Sequence, residues 1–202
     1  MKKLITGIAV ASVVAALGTA AVFAAPAPSV WTQTVQVTSN SVITLTSTAG
    51  SPVTITADPT VNGGFATTVV PLTVSSNNET GYNLTLSMIL GDTHAGALFD
   101  DGTSVNTTTD TVVGIPAAGA LVANQWGYTS ATGSNTVPTI ASSFSKVPNL
   151  AADGGTGAVT LLNATGEGTS NIFVNYGAVI DYTLASGITY SNQVTYTASV
   201  NP

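Results

Sequence analysis

Apolar and polar residues alternate with a period of two over much of the chain. Tyr82, Leu84, Leu86 and Met88 are separated by Asn83, Thr85 and Ser87. Ile172, Val174, Tyr176, Ala178, Ile180 and Tyr182 form a second row, and Val194, Tyr196, Ala198 and Val200 a third. Successive side chains of a strand point to opposite faces, so each row predicts a strand with one apolar face inward and a Thr/Asn face toward water. Shorter strands are predicted at 35–37, 42–45, 53–57 and 69–74. Pro71 makes the last of these an edge or a bulge, because proline cannot donate to a ladder. Ala185-Ser186-Gly187 lies between the last two long rows and predicts an antiparallel hairpin there.

Turn-forming runs separate these segments, among them Asn62-Gly63-Gly64, the stretch from Ser76 to Gly81, Asp101-Gly102 and Asp153-Gly154-Gly155. Residues 91–169 are less regular and read as an insertion of long Gly/Ala/Ser/Thr-rich loops, with short strands at 125–129, 144–147 and 159–162. After residue 24 no window sustains a helical period. Short strands with frequent turns predict an all-β, antiparallel sandwich.

The first 24 residues read differently. Lys2 and Lys3 precede an uncharged apolar run over 4–17, and Val22-Phe23-Ala24 supplies small residues at the positions a signal peptidase requires. This predicts a helical signal peptide over 1–24, cleaved after Ala24, followed by a single domain over 25–202. An uncleaved anchor is the alternative, since 4–25 is long enough to span a bilayer. Gly7, Gly18, Thr6 and Thr19 lower its hydrophobicity.

Composition narrows the chemistry. Thr, Ser and Asn supply 67 of 202 residues, and 6% of residues are charged against roughly 25% in an average domain. There is no Cys, no Arg and one histidine, His94. Disulfides and thiolate metal sites are excluded. Nucleic acid is not an expected partner, because phosphates need Lys and Arg. From Ala25 onward the chain keeps one lysine and nine acidic residues, a formal charge of −8. No second apolar span follows, so no membrane span is expected in the mature chain.

The densest ionisable cluster combines Asp92, His94, Asp100 and Asp101. Asp carboxylates and loop carbonyls are hard oxygen donors, so Asp92, Asp100 and Asp101 are candidate Ca²⁺ ligands; a plain polar loop is the competing reading. Trp126 and Tyr128 are two apart and share a face of a strand. Exposed, they would form a stacking platform for a sugar; buried, they are core. Trp31 would line a strand with Val35 and Val37, and the extended segment from Ala25 to Val30 could place that strand in a neighbour's sheet. Lys146 would be the one side-chain amine of the mature protein, either solvated or cross-linked to an Asn or Asp. The Thr-x-Thr repeats are too irregularly spaced for an ice-binding ladder and read as the wet faces of strands. No nucleophile elbow, phosphate loop or dinucleotide fingerprint is present. An enzyme is not expected, and Ca²⁺ is the one cofactor entertained.

Three phrases carry a resemblance. Gly81-Tyr82-Asn83-Leu84-Thr85-Leu86-Ser87, Asn124-Gln125-Trp126-Gly127-Tyr128, and the run from Gly187 to Ala198 closing in Val194-Thr195-Tyr196-Thr197-Ala198 resemble small secreted bacterial surface proteins of immunoglobulin-like or pilin-like β-sandwich type. The resemblance implies an immunoglobulin-like sandwich and an extracellular or cell-surface location. It implies partners among cell-surface or extracellular matrix components, including further copies of the chain, and no catalytic residues. The expected function is structural or adhesive, with a carbohydrate-binding module as the alternative.

Overall fold

The computed structural model describes residues 36, 39–88, 96–100, 111–148, 157–184 and 189–202, with Phe99, Asp100 and Thr111 described by backbone alone. Compactness divides the chain into Met1–Thr38 and Ser39–Pro202, and every element below belongs to the second unit. The segment 1–24 and, apart from Gln36, the predicted strand 35–37 lie outside the described residues.

The described residues are all-β. The strands are β1 (Ile43–Ser47), β2 (Phe65–Ser76), β3 (Tyr82–Met88), β4 (Leu98–Asp100), β5 (Thr111–Gly114), β6 (Gln125–Thr132), β7 (Val159–Ala164), β8 (Gly168–Val179), β9 (Tyr190–Ser191) and β10 (Val194–Val200), with one 3-10 turn at Asn62–Gly64. They form a seven-stranded sheet in the order β1-β2-β8-β6-β5-β4-β9 and a three-stranded sheet in the order β10-β3-β7. Asn62, Gly63 and Gly64 all take positive φ, as their sequence predicts.

Three expectations are corrected. The larger sheet is mixed, because β5 runs parallel to β6 with Val113 opposite Gln125. Parallel neighbours need a crossover, and residues 115–124 supply it by returning the chain to the end from which β5 started. The predicted hairpin between β8 and β10 does not form. β8 has both edges taken, by β2 and β6, so β10 pairs with β3 in the other sheet. Residues 53–57 form no strand; Pro52 and Pro59 bracket them, and neither can donate to a ladder.

Proline at 71 is accommodated by the way β1 ends. β1 pairs with β2 only from Leu72 to Ser76. The Pro71 carbonyl accepts from the Ser47 hydroxyl at 2.8 Å, so the backbone of Pro71 faces the β1 side. Its missing N–H falls one residue beyond the last rung.

The alternating rows meet between the sheets. Leu84 and Leu86 are fully buried, with Tyr82 and Met88 at 1% exposure. Val70, Leu72 and Val74 of β2, Ile172, Val174, Tyr176 and Ala178 of β8, and Trp126 and Tyr128 of β6 join them in one cluster. Burying each aliphatic side chain of this kind is worth roughly 1.5–3 kcal/mol.

A second, smaller core forms on the opposite face of the larger sheet. Gly127 of β6 and Gly177 of β8 are direct cross-strand partners, which leaves a hollow in the sheet surface. Phe144 fills it and is fully buried, together with Ile115, Leu121 and Val179. Phe65 closes the cluster edge-on to Phe144, with ring centroids 6.0 Å apart. Phe144 is held by two backbone hydrogen bonds with Gly119, and Ser145 by two with Tyr128. The two glycines are therefore required by a close approach. A Cβ on Gly177 would lie 2.5 Å from the Phe144 ring, and one on Gly127 would lie 2.8 Å from the Ser145 carbonyl oxygen.

Gly177→Ala is expected to destabilise the protein by about 1–3 kcal/mol through overpacking, and Phe144→Ala by about 3–5 kcal/mol through a cavity. The double variant is expected to lose less than the sum, because the methyl then enters vacated space. Urea unfolding of the three variants measures this; strict additivity would show that the ring and the glycine do not meet.

Candidate functional site

The structure places Trp126 and Tyr128 on one face of β6, as their spacing predicts, and that face looks into the core. Trp126 is 4% exposed and Tyr128 6%. The Trp126 indole N–H donates to the Gly96 carbonyl at 2.7 Å, and its ring packs beside Tyr176 at 6.1 Å. Of the two readings of this pair, core is the one realised; neither ring is presented to a flat ligand.

Two hydrogen bonds made by tyrosine hydroxyls join the sheets. Tyr82 on β3 pairs with the Ser170 hydroxyl on β8 at 2.9 Å. Tyr176 on β8 and Tyr196 on β10 share a hydrogen bond of 2.6 Å. Burial pushes the Tyr196 phenol up to about 12, although its bond to Tyr176 acts in the other direction. Tyr176 is driven higher still by burial, with the neighbouring Tyr196 adding to it.

Of the candidate Ca²⁺ ligands, Asp92 and Asp101 lie outside the described residues, as does His94, and Asp100 is described by its backbone, which pairs with Tyr190. Among the described residues no three metal-ligating side chains converge. Lys146 is half-buried, with its stem running past Gly96 and Gly114. The acids whose side chains are described, Asp58, Glu79, Glu167 and Asp181, all sit in loops and turns. Described strand side chains carry no charge, and the outer face of the three-stranded sheet is built from Asn83, Thr85, Ser87, Thr160, Asn163, Thr195, Thr197 and Ser199.

The feature best suited to recognition is main-chain. β2 has twelve residues, and β1 covers only the last five. Odd-numbered residues of β2 turn their backbone groups toward β1, as the Pro71 carbonyl and the Ser75 carbonyl show. Thr67 and Val69 therefore direct their N–H and C=O groups at an edge that no described strand occupies. A cleft of about 390 Å³ runs beside the start of that edge, lined by Thr56, Asp58, Val61, Asn62, Phe65, Ala66 and Thr67.

Two features escape the sequence reading. Tyr182 belongs to a row that reads as inward, yet it is 76% exposed because β8 ends at Val179. Asp181, a charge within an otherwise uncharged row, is the signal that the strand has stopped. Glycines within strand patterns are likewise the signal for the close approach of Phe144. No protein-family model matches the chain, and no curated protein matches it. Among the described residues no helix is long and apolar enough to cross a membrane.

The buried phenols predict an alkaline limit. Both titrate higher in the folded chain than in the unfolded one, so the native state holds protons that the unfolded state releases. Their stabilising share is complete below the unfolded value of about 10 and is lost as pH rises through the folded values. Stability is expected to fall above about pH 10 by up to about 1.4 kcal/mol per pH unit per tyrosine, and Tyr196→Phe should flatten the fall. Urea midpoints against pH, alongside phenolate absorbance, provide the check; a profile unchanged in Tyr196→Phe would contradict it.

Proposed function

We propose that the protein is exported and acts outside the cell or at its surface as a non-enzymatic structural or adhesive module. It works through sheet edges and loop ends, without chemistry, on cell-surface or matrix components that include further copies of itself. The supporting observation is that, among the described residues, no strand pairs with β2 over Thr67 and Val69 on the side away from β8. An open edge offers a row of main-chain donors and acceptors that an extended segment of a neighbour completes, and such edges are normally blocked by charge, lysine or irregularity. β2 itself carries no charged residue; Asp58 borders the start of the edge and Pro71 ends its row of donors, which leaves Thr67 and Val69 as the stretch open to an added strand. The low charge and the pattern of residues 1–24, a basic start followed by an apolar run and small residues at 22 and 24, support the same reading.

Cell fractionation, N-terminal sequencing and electron microscopy of the native material test the proposal together. The expected protein lies outside the cytoplasm, begins at Ala25 and forms assemblies. Val69→Pro removes a donor from the open edge while leaving the β8 ladder intact, and is expected to yield folded monomers in the same fraction. A cytoplasmic chain beginning at Met1 would overturn export, and wild-type monomers at all concentrations would overturn strand addition.

A further inference from the structure

Phe65, Val179 and Gln125 lie at one level across β2, β8 and β6, and Val113 of β5 lies opposite Gln125. The loops beyond that level therefore share one end of the larger sheet. Each of these four neighbouring strands places an exposed apolar side chain there: Val61 before β2, Tyr182 after β8, Val122 before β6, and Val113 on β5. Their exposures are 53, 76, 60 and 44%. Ile140, also exposed, adjoins the same end, its Cδ1 reaching to 4.0 Å from the position of a Cβ on Gly63. At about 4.8 Å between neighbours, the four strands that carry or adjoin these residues span roughly 14 Å. Isolated exposed apolar residues are ordinary, whereas a contiguous set marks a contact surface.

The row is held rigidly. The Asn124 amide donates to Asp181 and to Thr183, each at 2.9 Å, and its carbonyl accepts from the Asp181 N–H at 3.1 Å. Thr183 closes on Asp181 through its N–H and its hydroxyl, so the backbone on both sides of Tyr182 is tied down. The Ile180 N–H donates to the Gly64 carbonyl at 3.1 Å and ties that turn to the 3-10 turn next to Val61. An aromatic anchor ordered before contact binds at lower entropic cost.

The charges bordering the row are negative. Asp58 is held below the usual carboxylate range by bonds from the Thr60 side chain and backbone, and Asp181 by Thr183 and Asn124. The opposite end of the sandwich carries Glu79 and Glu167, in the turns that precede β3 and β8. A second copy docked end to end would therefore bring acid against acid. Lys146, the one described lysine, is half-buried beside Gly114.

We infer that this end of the sheet docks a polypeptide surface whose apolar residues are bordered by Lys or Arg, with Tyr182 as its central anchor. The inference rests on the adhesive reading above and names the kind of partner. Apolar centre and charged rim then match on both sides, the usual anatomy of a specific interface.

The test uses the full secreted protein and a fluorescent amphipathic peptide of Leu and Lys, beside one of Leu and Glu of equal length. The Leu/Lys peptide is expected to bind and the Leu/Glu peptide to be rejected. Tyr182→Ser combined with Val122→Ser leaves net charge unchanged and is expected to weaken binding by about tenfold or more. Both side chains are exposed, so the thermal unfolding of this variant should match the wild type. Equal binding by variant and wild type would show attraction by net charge alone and overturn the inference. So would equal binding of both peptides, or occupation of the surface by phosphatidylcholine vesicles or by a second copy. Fractionation does not depend on these outcomes, and a second copy docked here would persist in Val69→Pro but be lost in the Tyr182→Ser, Val122→Ser variant, so the two readings fail separately.

Discussion

Burial of the second half of β8 on both faces, with pairing along both of its edges, is the constraint on which the rest of the architecture depends. Its inner row, Ile172, Val174, Tyr176 and Ala178, meets the three-stranded sheet, while Gly177 and Val179 face Phe144 and Leu121. β2 and β6 occupy its two edges. A strand enclosed in this way has no free backbone group to offer, so β10 must join the other sheet, and the Tyr176–Tyr196 hydroxyl bond spans the gap between them. The mixed sheet follows as well, because the chain that covers the outer face of β8 must leave β5 and come back before it can enter β6.

What can be read from the sequence divides along the same line. The row from Tyr82 to Met88 is legible in full, because a strand with one buried face imposes a period of two on its own residues. β8 is legible only on its inner side; the segment that buries its other face comes from Phe144 and Leu121, far away in the chain, and leaves two glycines as its only trace. β4, β5 and β9 are two to four residues long, too short for any period to register. The failed hairpin has the same origin. Spacing identifies neighbours in sequence, whereas pairing depends on which edges are already taken. At the candidate sites, the shared face of Trp126 and Tyr128 is legible and its direction is not, since a scarce aromatic pair suits a core and a platform equally.

Charge is distributed to match. In a chain with 6% charged residues, the acids whose side chains are described sit in loops and turns, and the described strand faces present hydroxyls and amides. Faces of this composition neither repel one another nor attract ions, so discrimination between partners falls to backbone edges and to loop ends. The open stretch of β2 and the Tyr182 end adjoin each other at Phe65 and Val61. A neighbour engaged at one would approach the other.

The pairing of β2 with β8 joins residues 65–76 to residues 168–179. A chain that emerges N-terminus first, from a ribosome or through a membrane pore, has made all of β2 and β6 before the strand that belongs between them exists. Loop closure over that length is slow compared with local structure formation, and unpaired strands without charge are prone to associate in the meantime. Pairing of β2 and β6 with β8 is therefore a late event, deferred until Val179 has cleared the exit, and residues 65–132 wait through that interval with their central partner strand missing.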